Sequence, residues 1–233
     1  MTGTLLNIVT VLIGGAVGLL FSARIPERLK TTVVAGLALF VAAMGIQMFF
    51  KSGNQLIVLG ALIIGGLLGE WMRIEDRLES VGAALEKRFS SRPGTSSGST
   101  FIRGFMVSSL VFCIGPMTII GSIQDGLTGD YQLLAVKSTL DGFAAVAFAS
   151  TLGAGVLFSA LVILVFQGGI SLLAAQLSTI ISEAMMNEMT AAGGLLLLGL
   201  AISNLLELKK IRVGNFLPAL VVAPSITWIL SLL

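Results

Sequence analysis

Six stretches of this chain carry no charged residue, and each is about as long as one crossing of a lipid bilayer. They cover residues 1–23, 31–50, 52–69, 104–124, 189–206 and 213–233. A membrane helix needs roughly 20 mostly apolar residues to cross the hydrocarbon core. Lipid offers the backbone no hydrogen-bond partners, so such stretches must form helices. The sequence therefore predicts an all-α polytopic membrane protein.

A seventh apolar stretch, residues 142–182, is too long for a single crossing. Its segment 151–155 reads Thr-Leu-Gly-Ala-Gly and is a candidate turn, because closely spaced glycines relax the backbone. We place one span near 133–150 and the next near 156–177. The prediction is then about eight transmembrane helices.

Composition excludes several classes of function. Only 11% of the 233 residues are charged, against roughly 25% in soluble proteins. The absence of His removes imidazole metal sites and the usual general base, and a single Cys leaves no pair for zinc. A net charge of +2 gives no basic surface for nucleic acid. We expect no enzyme activity, metal or cofactor, and no nucleic-acid partner; the expected partners are membrane lipids and a small solute or ion.

The basic residues predict the orientation of the spans. Twelve of the fourteen fall in the loops after spans one, three and seven, and Lys51 and Lys137 lie elsewhere. The twelve are Arg24, Arg28, Lys30, Arg73, Arg77, Lys87, Arg88, Arg92, Arg103, Lys209, Lys210 and Arg212. With eight spans all three loops lie on one side, which the positive-inside rule makes cytoplasmic. Both termini are then extracytoplasmic, and the first span, which lacks a basic start, is retained rather than cleaved as a signal peptide.

Residues 73–100 form the most polar segment. Apolar residues recur in its first half at spacings of three or four, at Ile74, Leu78, Val81, Leu85 and Phe89. This pattern predicts an amphipathic helix on the inner membrane surface or at the base of the bundle. The Ser- and Gly-rich residues 90–100 are typical of a flexible linker.

The first and last parts of the chain share a weak pattern of small and apolar residues. It predicts a first repeat at 1–72 with spans one to three, the cytoplasmic helix and linker at 73–100, a central polar pair of spans at 101–152, and a second repeat at 153–233 with spans six to eight. An odd number of crossings separates the two starts, so the copies would be inverted, as in many secondary transporters. Chance similarity between apolar helices is the alternative.

The central pair of spans holds the least membrane-like residues. Gly115 and Pro116 predict a kink or break in span four, because proline removes a backbone hydrogen bond. Lys137 and Asp141 in span five are four residues apart, share a face, and fall near the bilayer midplane. Charges at this depth are costly and mark ion or substrate paths. The candidate path comprises Asp141, Lys137, Ser138, Thr139, Asp125 and Gln124; a buried ion pair that only fixes the bundle is the alternative.

Two further polar side chains fall at similar places in the two predicted repeats, Gln47 in span two and Asn204 in span seven. Each can join helices through simple hydrogen bonds. The other interpretation places both in a pseudo-symmetric central site on the same path. The many small residues also allow close helix contact and a homodimer.

Four central motifs resemble a known family. They are 112–117 (Phe-Cys-Ile-Gly-Pro-Met), 121–131 (Gly-Ser-Ile-Gln-Asp-Gly-Leu-Thr-Gly-Asp-Tyr), 137–142 (Lys-Ser-Thr-Leu-Asp-Gly) and 148–159 (Phe-Ala-Ser-Thr-Leu-Gly-Ala-Gly-Val-Leu-Phe-Ser). These are similar to the bacterial membrane family named domain of unknown function 554, over nearly the whole chain. The resemblance implies a bacterial inner-membrane protein of a family often described as transporters, without an established substrate.

Taken together, these patterns favour a secondary transporter or ion-coupled carrier with Asp141 and Lys137 at its polar centre. Coupling would come from protonation of Asp141 or from a cation such as Na⁺ bound to it. A passive ion channel is the first alternative. A non-transporting membrane scaffold, docking through the helix at 73–89, is the second.

Overall fold

The computed structural model describes residues 1–22, 24–89 and 96–232, and every regular element in these ranges is helical. The prediction of an all-α chain is confirmed. The α-helices are α1 Thr2–Ser22, α2 Glu27–Phe49, α3 Gln55–Met72, α4 Ile74–Phe89, α5 Ser96–Cys113, α6 Pro116–Thr128, α7 Gln132–Leu152, α8 Ser159–Leu172, α9 Ala174–Ile180, α10 Glu183–Leu200 and α11 Ala219–Leu230. Short 3₁₀ helices occupy Gly153–Phe158 and Val213–Phe216, and Ala201–Leu205 forms a π turn.

Six described segments are long and apolar enough to cross a membrane. They are Thr2–Ser22, Glu27–Phe49, Gln55–Met72, Gln132–Leu172, Glu183–Leu205 and Val213–Leu230. The helices α5 and α6, bent by 63° at their junction, make a seventh if the pair is one span. The predicted count of eight differs from this only in dividing the 41-residue segment Gln132–Leu172 into two crossings.

The chain forms two compact units, each built from two separate pieces of sequence. The first unit comprises Met1–Ala35 and Glu79–Thr179, and the second comprises Gly36–Leu78 and Ile180–Leu233. The three boundaries along the chain fall inside the helices α2, α4 and α9. The units are groups of residues that pack together, whereas the predicted repeat is a similarity between two parts of the sequence. The repeat therefore stays a prediction.

In the first unit, α1 and α7 run parallel and in close contact. Gly3, near the start of α1, lies against Leu134, near the start of α7. Gly18, near the end of α1, lies against Val146 and Ser150, near the end of α7. A Cβ at either glycine would overlap these neighbours, so the small residues let the helices approach closely.

The chain reverses direction after α7. Gly153 ends that helix at φ +79°, a left-handed conformation that glycine adopts without strain. The next helix, α8, then returns along α1. Leu157, in the 3₁₀ helix just before α8, lies against Gly15, whereas Gln167 of α8 bonds to Thr4 near the start of α1. The 41-residue segment is therefore two antiparallel helices.

The bent pair α5–α6 extends from one end of the first unit to the other. Phe101, near the start of α5, contacts Gly155 in the turn that follows α7. Gly126, near the end of α6, contacts Ser171 near the end of α8. Because α8 runs away from that turn, the two contacts lie at opposite ends of the unit. The pair covers its full depth despite the bend.

In the second unit, α3 and α11 are antiparallel. Gly60 lies near Ile226, and Gly69 lies against Asn215, just before α11. Small residues fill the core of this unit, which contains Val58, Ala61, Ala191, Ala192, Ala219 and Ala223.

The other helix pair of the second unit, α2 and α10, is also antiparallel. Gly45 lies against Leu198, and Met48, further along α2, lies against Gly194, which comes earlier in α10. Gly45 and Gly194 also face each other, and a Cβ on either would overlap the carbonyl oxygen of the other. Two glycines therefore set the distance between these helices.

The predicted amphipathic helix corresponds to α4. Arg73, at φ 51°, caps the preceding helix in the left-handed conformation and starts the change of direction. Further along, Gly82 packs on Ile102 and Phe105 of α5, as expected for a helix at the base of a bundle. Of the predicted linker 90–100, residues 96–100 belong to α5, and residues 90–95 lie outside the described residues.

Candidate functional site

Helix α7 has its polar face buried and its apolar face exposed. Lys137, Ser138 and Asp141 are buried, with Asp141 only 8% exposed. By contrast, Leu140 is 58% and Phe143 is 74% exposed. Soluble proteins almost never bury Lys or Asp while exposing such residues. The arrangement fits a helix that faces lipid on one side and a polar interior on the other.

An ion pair forms the centre of that interior. The ammonium Nζ of Lys137 pairs with Oδ2 of Asp141, one helical turn further along α7. A buried charge without a partner is far more costly than a paired one. The i,i+4 spacing predicted from the sequence therefore corresponds to a direct contact between the two side chains.

Two amides from other helices complete the arrangement. Asn7 of α1 donates from Nδ2 to Oδ2 of Asp141 and to Oε1 of Gln167 on α8, at 3.0 Å each. Gln167 in turn donates from Nε2 to Oγ1 of Thr4 at 3.4 Å. Thr4, Asn7 and Gln167 are 0% exposed. We call Thr4, Asn7, Lys137, Asp141 and Gln167 the polar core; it joins α1, α7 and α8.

The break between α5 and α6 lies beside the polar core. Cys113, the last residue of α5, is buried and within electrostatic range of both Lys137 and Asp141. Pro116 begins α6 after Gly115, at the position predicted for a break. The carbonyl of Phe112 accepts a hydrogen bond from Oγ1 of Thr118 at 3.3 Å, so a side chain satisfies a carbonyl that the break leaves free.

Asp125, on α6, meets α1 one turn before Asn7. It is 2% exposed, its Oδ2 accepts from the backbone N–H of Gly3 at 3.0 Å, and its Oδ1 is 3.2 Å from the amino group of Met1. Gly3 and Asn7 are four residues apart and share a face of α1. At 1.5 Å per residue, Asn7 lies about 8 Å and Asp141 about 14 Å from the starts of their helices. The carboxylates of Asp125 and Asp141 therefore lie at successive turns along α1.

The remaining predicted path residues are not joined to this network. Ser138 is buried, but its hydroxyl donates to the Leu134 carbonyl of its own helix at 2.6 Å. Thr139 and Gln124 are exposed. Gln47 and Asn204 belong to the second unit, where Gln47 is exposed and Asn204 is half-buried in the π turn.

The sequence interpretation missed Thr4, Asn7 and Gln167. The available signal was that Asn7 and Gln167 are amides inside otherwise apolar stretches, the same signal that selected Gln47 and Asn204. Nothing in the local sequence says which of the four amides faces Asp141.

The second unit places its buried carboxylates against backbone groups. Glu188, on α10, is 3% exposed. Its Oε1 accepts from the N–H groups of Gly53 and Asn54 at 2.8 and 2.9 Å, and its Oε2 accepts from the Ser52 hydroxyl at 2.7 Å. These donors precede the first turn of α3, where a carboxylate is favourable. Glu188 therefore fixes the loop between α2 and α3 to α10.

A second group of hydrogen bonds in this unit joins the end of α3 to the start of α11. Asn215 donates to Oε2 of Glu70 at 2.5 Å and accepts from the backbone N–H of Glu75 at 2.8 Å. The carboxylate of Glu75 accepts from the N–H of Gly214 at 2.6 Å, and Arg212 pairs with Glu70 at 2.9 Å. These bonds hold the 3₁₀ helix Val213–Phe216 in place.

Comparison with known proteins agrees with a membrane bundle. Residues 2–228 match the family described as Protein of unknown function (DUF554). The chain belongs to this family. It is 31% identical over 99% of its length to "Uncharacterized membrane protein YdfK" of Bacillus subtilis, of which 97% is covered. It is also 31% identical over 95% of its length to "Uncharacterized protein YqgA" of Escherichia coli, of which 94% is covered. No solved structure matches the chain.

The family assignment confirms the resemblance of the central motifs. The chain is a multi-pass integral membrane protein with bacterial relatives. The family's description names no activity.

Proposed function

We propose that this protein is a secondary transporter or ion-coupled carrier of a small solute or ion, with its path through the first unit. The observation that carries the proposal is the buried Lys137–Asp141 pair, bonded to an amide of a second helix and lying beside a broken one. Intramembrane charges are costly and mark ion or substrate paths by default. Broken helices near such sites recur in secondary transporters. The proposal includes no enzymatic step and no cofactor.

We further propose eight crossings of a bacterial inner membrane, with both termini extracytoplasmic. The parallel contact of α1 and α7 requires an odd number of crossings between them. The helices α2, α3 and the bent pair α5–α6 supply three. The antiparallel contact of α8 with α1 then makes α8 the sixth crossing, and α10 and α11 complete the count. This assignment places the three basic loops on one side, which the positive-inside rule makes cytoplasmic.

A carrier fits the polar core better than a passive channel does. A channel needs a continuous polar path, whereas these side chains are buried and bonded to one another. A carrier passes through closed states and must rearrange such a network to release its cargo. The buried network therefore supports the carrier as the first choice and the channel as the second.

The experiment begins with a screen for ligands. The purified chain is heated with chloride salts of Na⁺, K⁺ and Li⁺ and with a panel of amino acids and carboxylic acids, because a ligand that binds only the folded state raises the melting temperature. Each stabilising compound is then tested for flux in proteoliposomes. We expect Asp141→Asn to lower that flux by about 100-fold or more, since the carboxylate is removed from a buried, bonded site.

The matched control is Asp130→Asn, which changes an exposed carboxylate in the loop between α6 and α7. It should leave the flux unchanged. Unchanged flux in the Asp141→Asn variant, for every compound that the wild type moves, would remove Asp141 from the mechanism. A wild type that moves none of the compounds, with the chain folded, would favour the membrane scaffold.

A further inference from the structure

The second unit carries an apolar groove along one face of α3. Two cavities, of about 320 and 260 Å³, meet there at Leu62 and Phe216. The larger cavity is also lined by Ile63 and Leu67, which are 56% and 70% exposed, so the groove is open to the surroundings. On a segment that spans a membrane, exposed apolar side chains of this size contact lipid. The groove therefore faces the acyl chains.

The groove ends where α3 ends. The larger cavity extends from Leu62 to Glu70, which is about 12 Å along the helix at 1.5 Å per residue. That length is most of one leaflet, because the whole hydrocarbon core is about 30 Å thick. Trp71, next to Glu70, is 83% exposed, and tryptophan is enriched where a membrane meets water. The charged end of the groove therefore lies at the level of the lipid headgroups.

An arginine is fixed at this charged end. Nη1 of Arg212 donates to Oε1 of Glu70 at 2.9 Å, and Asn215 donates to the other carboxylate oxygen. The remaining N–H donors of the guanidinium have no partner among the described residues. A guanidinium that one carboxylate holds in place can offer two parallel N–H donors to a phosphate. The position of Arg212 thus favours an anion at the end of the groove.

Arg212 belongs to a basic segment of the chain. Residues 207–212 carry three basic side chains and one acidic side chain, Glu207. Lys209 and Lys210 are exposed, and the part of the chain that the structure describes provides neither with an ion-pair partner. Basic clusters beside a membrane attract anionic lipids, and basic pockets between membrane helices bind their headgroups. The basic segment and the apolar groove therefore match the two ends of an anionic lipid.

We propose that the groove beside α3 is a binding site for one anionic phospholipid. Its phosphate pairs with Arg212, Lys209 and Lys210, and an acyl chain lies along α3 over Ile63 and Leu62. A soluble anion would use only the charged end and leave the apolar groove unfilled. The site goes beyond the proposed function and is independent of it, because all its residues belong to the second unit.

Native mass spectrometry of the purified full-length chain in detergent measures the bound lipid directly. The chain is mixed with dioleoyl phosphatidylglycerol, with dioleoyl phosphatidylethanolamine, or with glycerol 3-phosphate. The second compound keeps the acyl chains but has no net charge, and the third keeps the anion without acyl chains. We expect one retained phosphatidylglycerol per chain, phosphatidylethanolamine at least about tenfold weaker, and no retained glycerol 3-phosphate, since each basic residue near a membrane contributes about fivefold to anion binding.

Charge substitutions test the headgroup end of the site. Arg212→Gln should weaken phosphatidylglycerol binding by about fivefold, and Lys209→Gln/Lys210→Gln by about 25-fold. Lys51→Gln, which changes an exposed lysine in the loop before α3, should behave as the wild type. Glu70→Gln breaks the same ion pair as Arg212→Gln but removes a negative charge. It should bind the lipid as tightly as the wild type or more tightly.

A matched pair of substitutions on α3 tests the apolar end. Ile63→Trp places a larger side chain in the groove and should weaken phosphatidylglycerol binding by about fivefold or more. Leu59→Trp makes the same change one turn earlier, at a side chain that is 54% exposed and lines neither cavity. It should leave the affinity unchanged.

The inference is overturned if the folded wild type retains phosphatidylethanolamine as well as phosphatidylglycerol, or binds glycerol 3-phosphate as tightly as the lipid. It is also overturned if Arg212→Gln and Glu70→Gln weaken lipid binding equally, or if Ile63→Trp and Leu59→Trp have the same affinity. If Arg212→Gln does not fold, the double lysine variant decides, because its side chains are exposed. Absent lipid binding would leave the transport proposal standing, and absent transport would leave the lipid site standing.

Discussion

The first unit keeps its buried ion pair within the length of its helices, whereas the second unit sets its buried carboxylates against backbone N–H groups. In the first unit, Asp141 and Lys137 pair with each other across one helical turn, and Asp141 also accepts a hydrogen bond from the side-chain amide of Asn7. In the second, Glu188 and Glu75 accept hydrogen bonds from backbone N–H groups of other elements. Side-chain partners can rearrange by rotation, but backbone partners cannot without moving a helix.

The contrast separates two uses of buried charge in one chain. A carboxylate that caps backbone groups fixes the position of an element, and losing it costs stability. An ion pair among side chains gives little net stability compared with well-packed apolar residues, because desolvation offsets the attraction between the charges. Its presence in the first unit therefore points to function, and the glutamates of the second unit point to architecture. Each prediction below tests one side of this division.

The largest effect on stability is expected from breaking the ion pair on one side only. Lys137→Met leaves Asp141 buried without its ammonium, and should lower the free energy of unfolding by about 3–5 kcal/mol. The double variant Lys137→Met/Asp141→Leu removes both charges and should recover most of that loss. It should fold and yet transport nothing. Unfolding in mixed detergent, followed by circular dichroism, measures the difference.

If the double variant is as unstable as the single one, the ion pair fixes the bundle, and the division between the two units fails. If the double variant still transports, the charges have no part in the mechanism. Either result would favour the alternative interpretation, in which the buried ion pair only fixes the bundle.

Glu188 should give the next largest effect, with the opposite functional signature. Glu188→Ala leaves two backbone N–H groups and the Ser52 hydroxyl without their acceptor, and should cost about 2–4 kcal/mol of stability. Transport per folded molecule should stay unchanged. Glu183→Ala, at an exposed position five residues earlier, is the control and should be neutral. A fully stable Glu188→Ala variant with reduced transport would place function in the second unit as well.

The ion pair was predictable because charges stand out in an apolar stretch and the i,i+4 rule places Lys137 and Asp141 on one face. The same rule explains the position of Thr139. It lies two residues from each, on another face, and is exposed. The bend at Pro116 likewise follows from local chemistry, since proline cannot continue the hydrogen-bond ladder.

The partners of the pair were not predictable, because they depend on which helices meet. Asn7 lies 134 residues from Asp141 and 160 from Gln167. The contact of α1 with α7 is decided by the fit of glycines such as Gly3 and Gly18 against particular neighbours. Apolar patterns along one chain indicate that helices exist and how long they are. They do not indicate which small residues face each other.

Helix contacts in the second unit can be tested with a matched pair of substitutions in α2. A Cβ at Gly45 would overlap the carbonyl oxygen of Gly194, which is backbone and cannot turn aside. Gly45→Ala should therefore cost about 1–3 kcal/mol. Gly36→Ala, where a Cβ meets nothing within 4 Å, should be neutral or slightly stabilising because alanine favours helix. Equal melting temperatures for the two variants would contradict the close contact.

The smallest effect is expected at the cap that Glu188 supports. The side chain of Asn54 accepts a hydrogen bond from the N–H of Leu56 at 3.1 Å and begins α3. Asn54→Ala should lower stability by about 1 kcal/mol, the usual cost of losing such a cap. Gln55→Ala, at the next exposed position, should change the stability by less than about 0.5 kcal/mol.

The double variant Glu188→Ala/Asn54→Ala tests whether Glu188 and Asn54 secure the same turn. If they do, its loss of stability should be smaller than the sum of the two single losses, because the cap has little left to hold once the loop is free. Strict additivity would mean that the carboxylate and the cap act independently on α3.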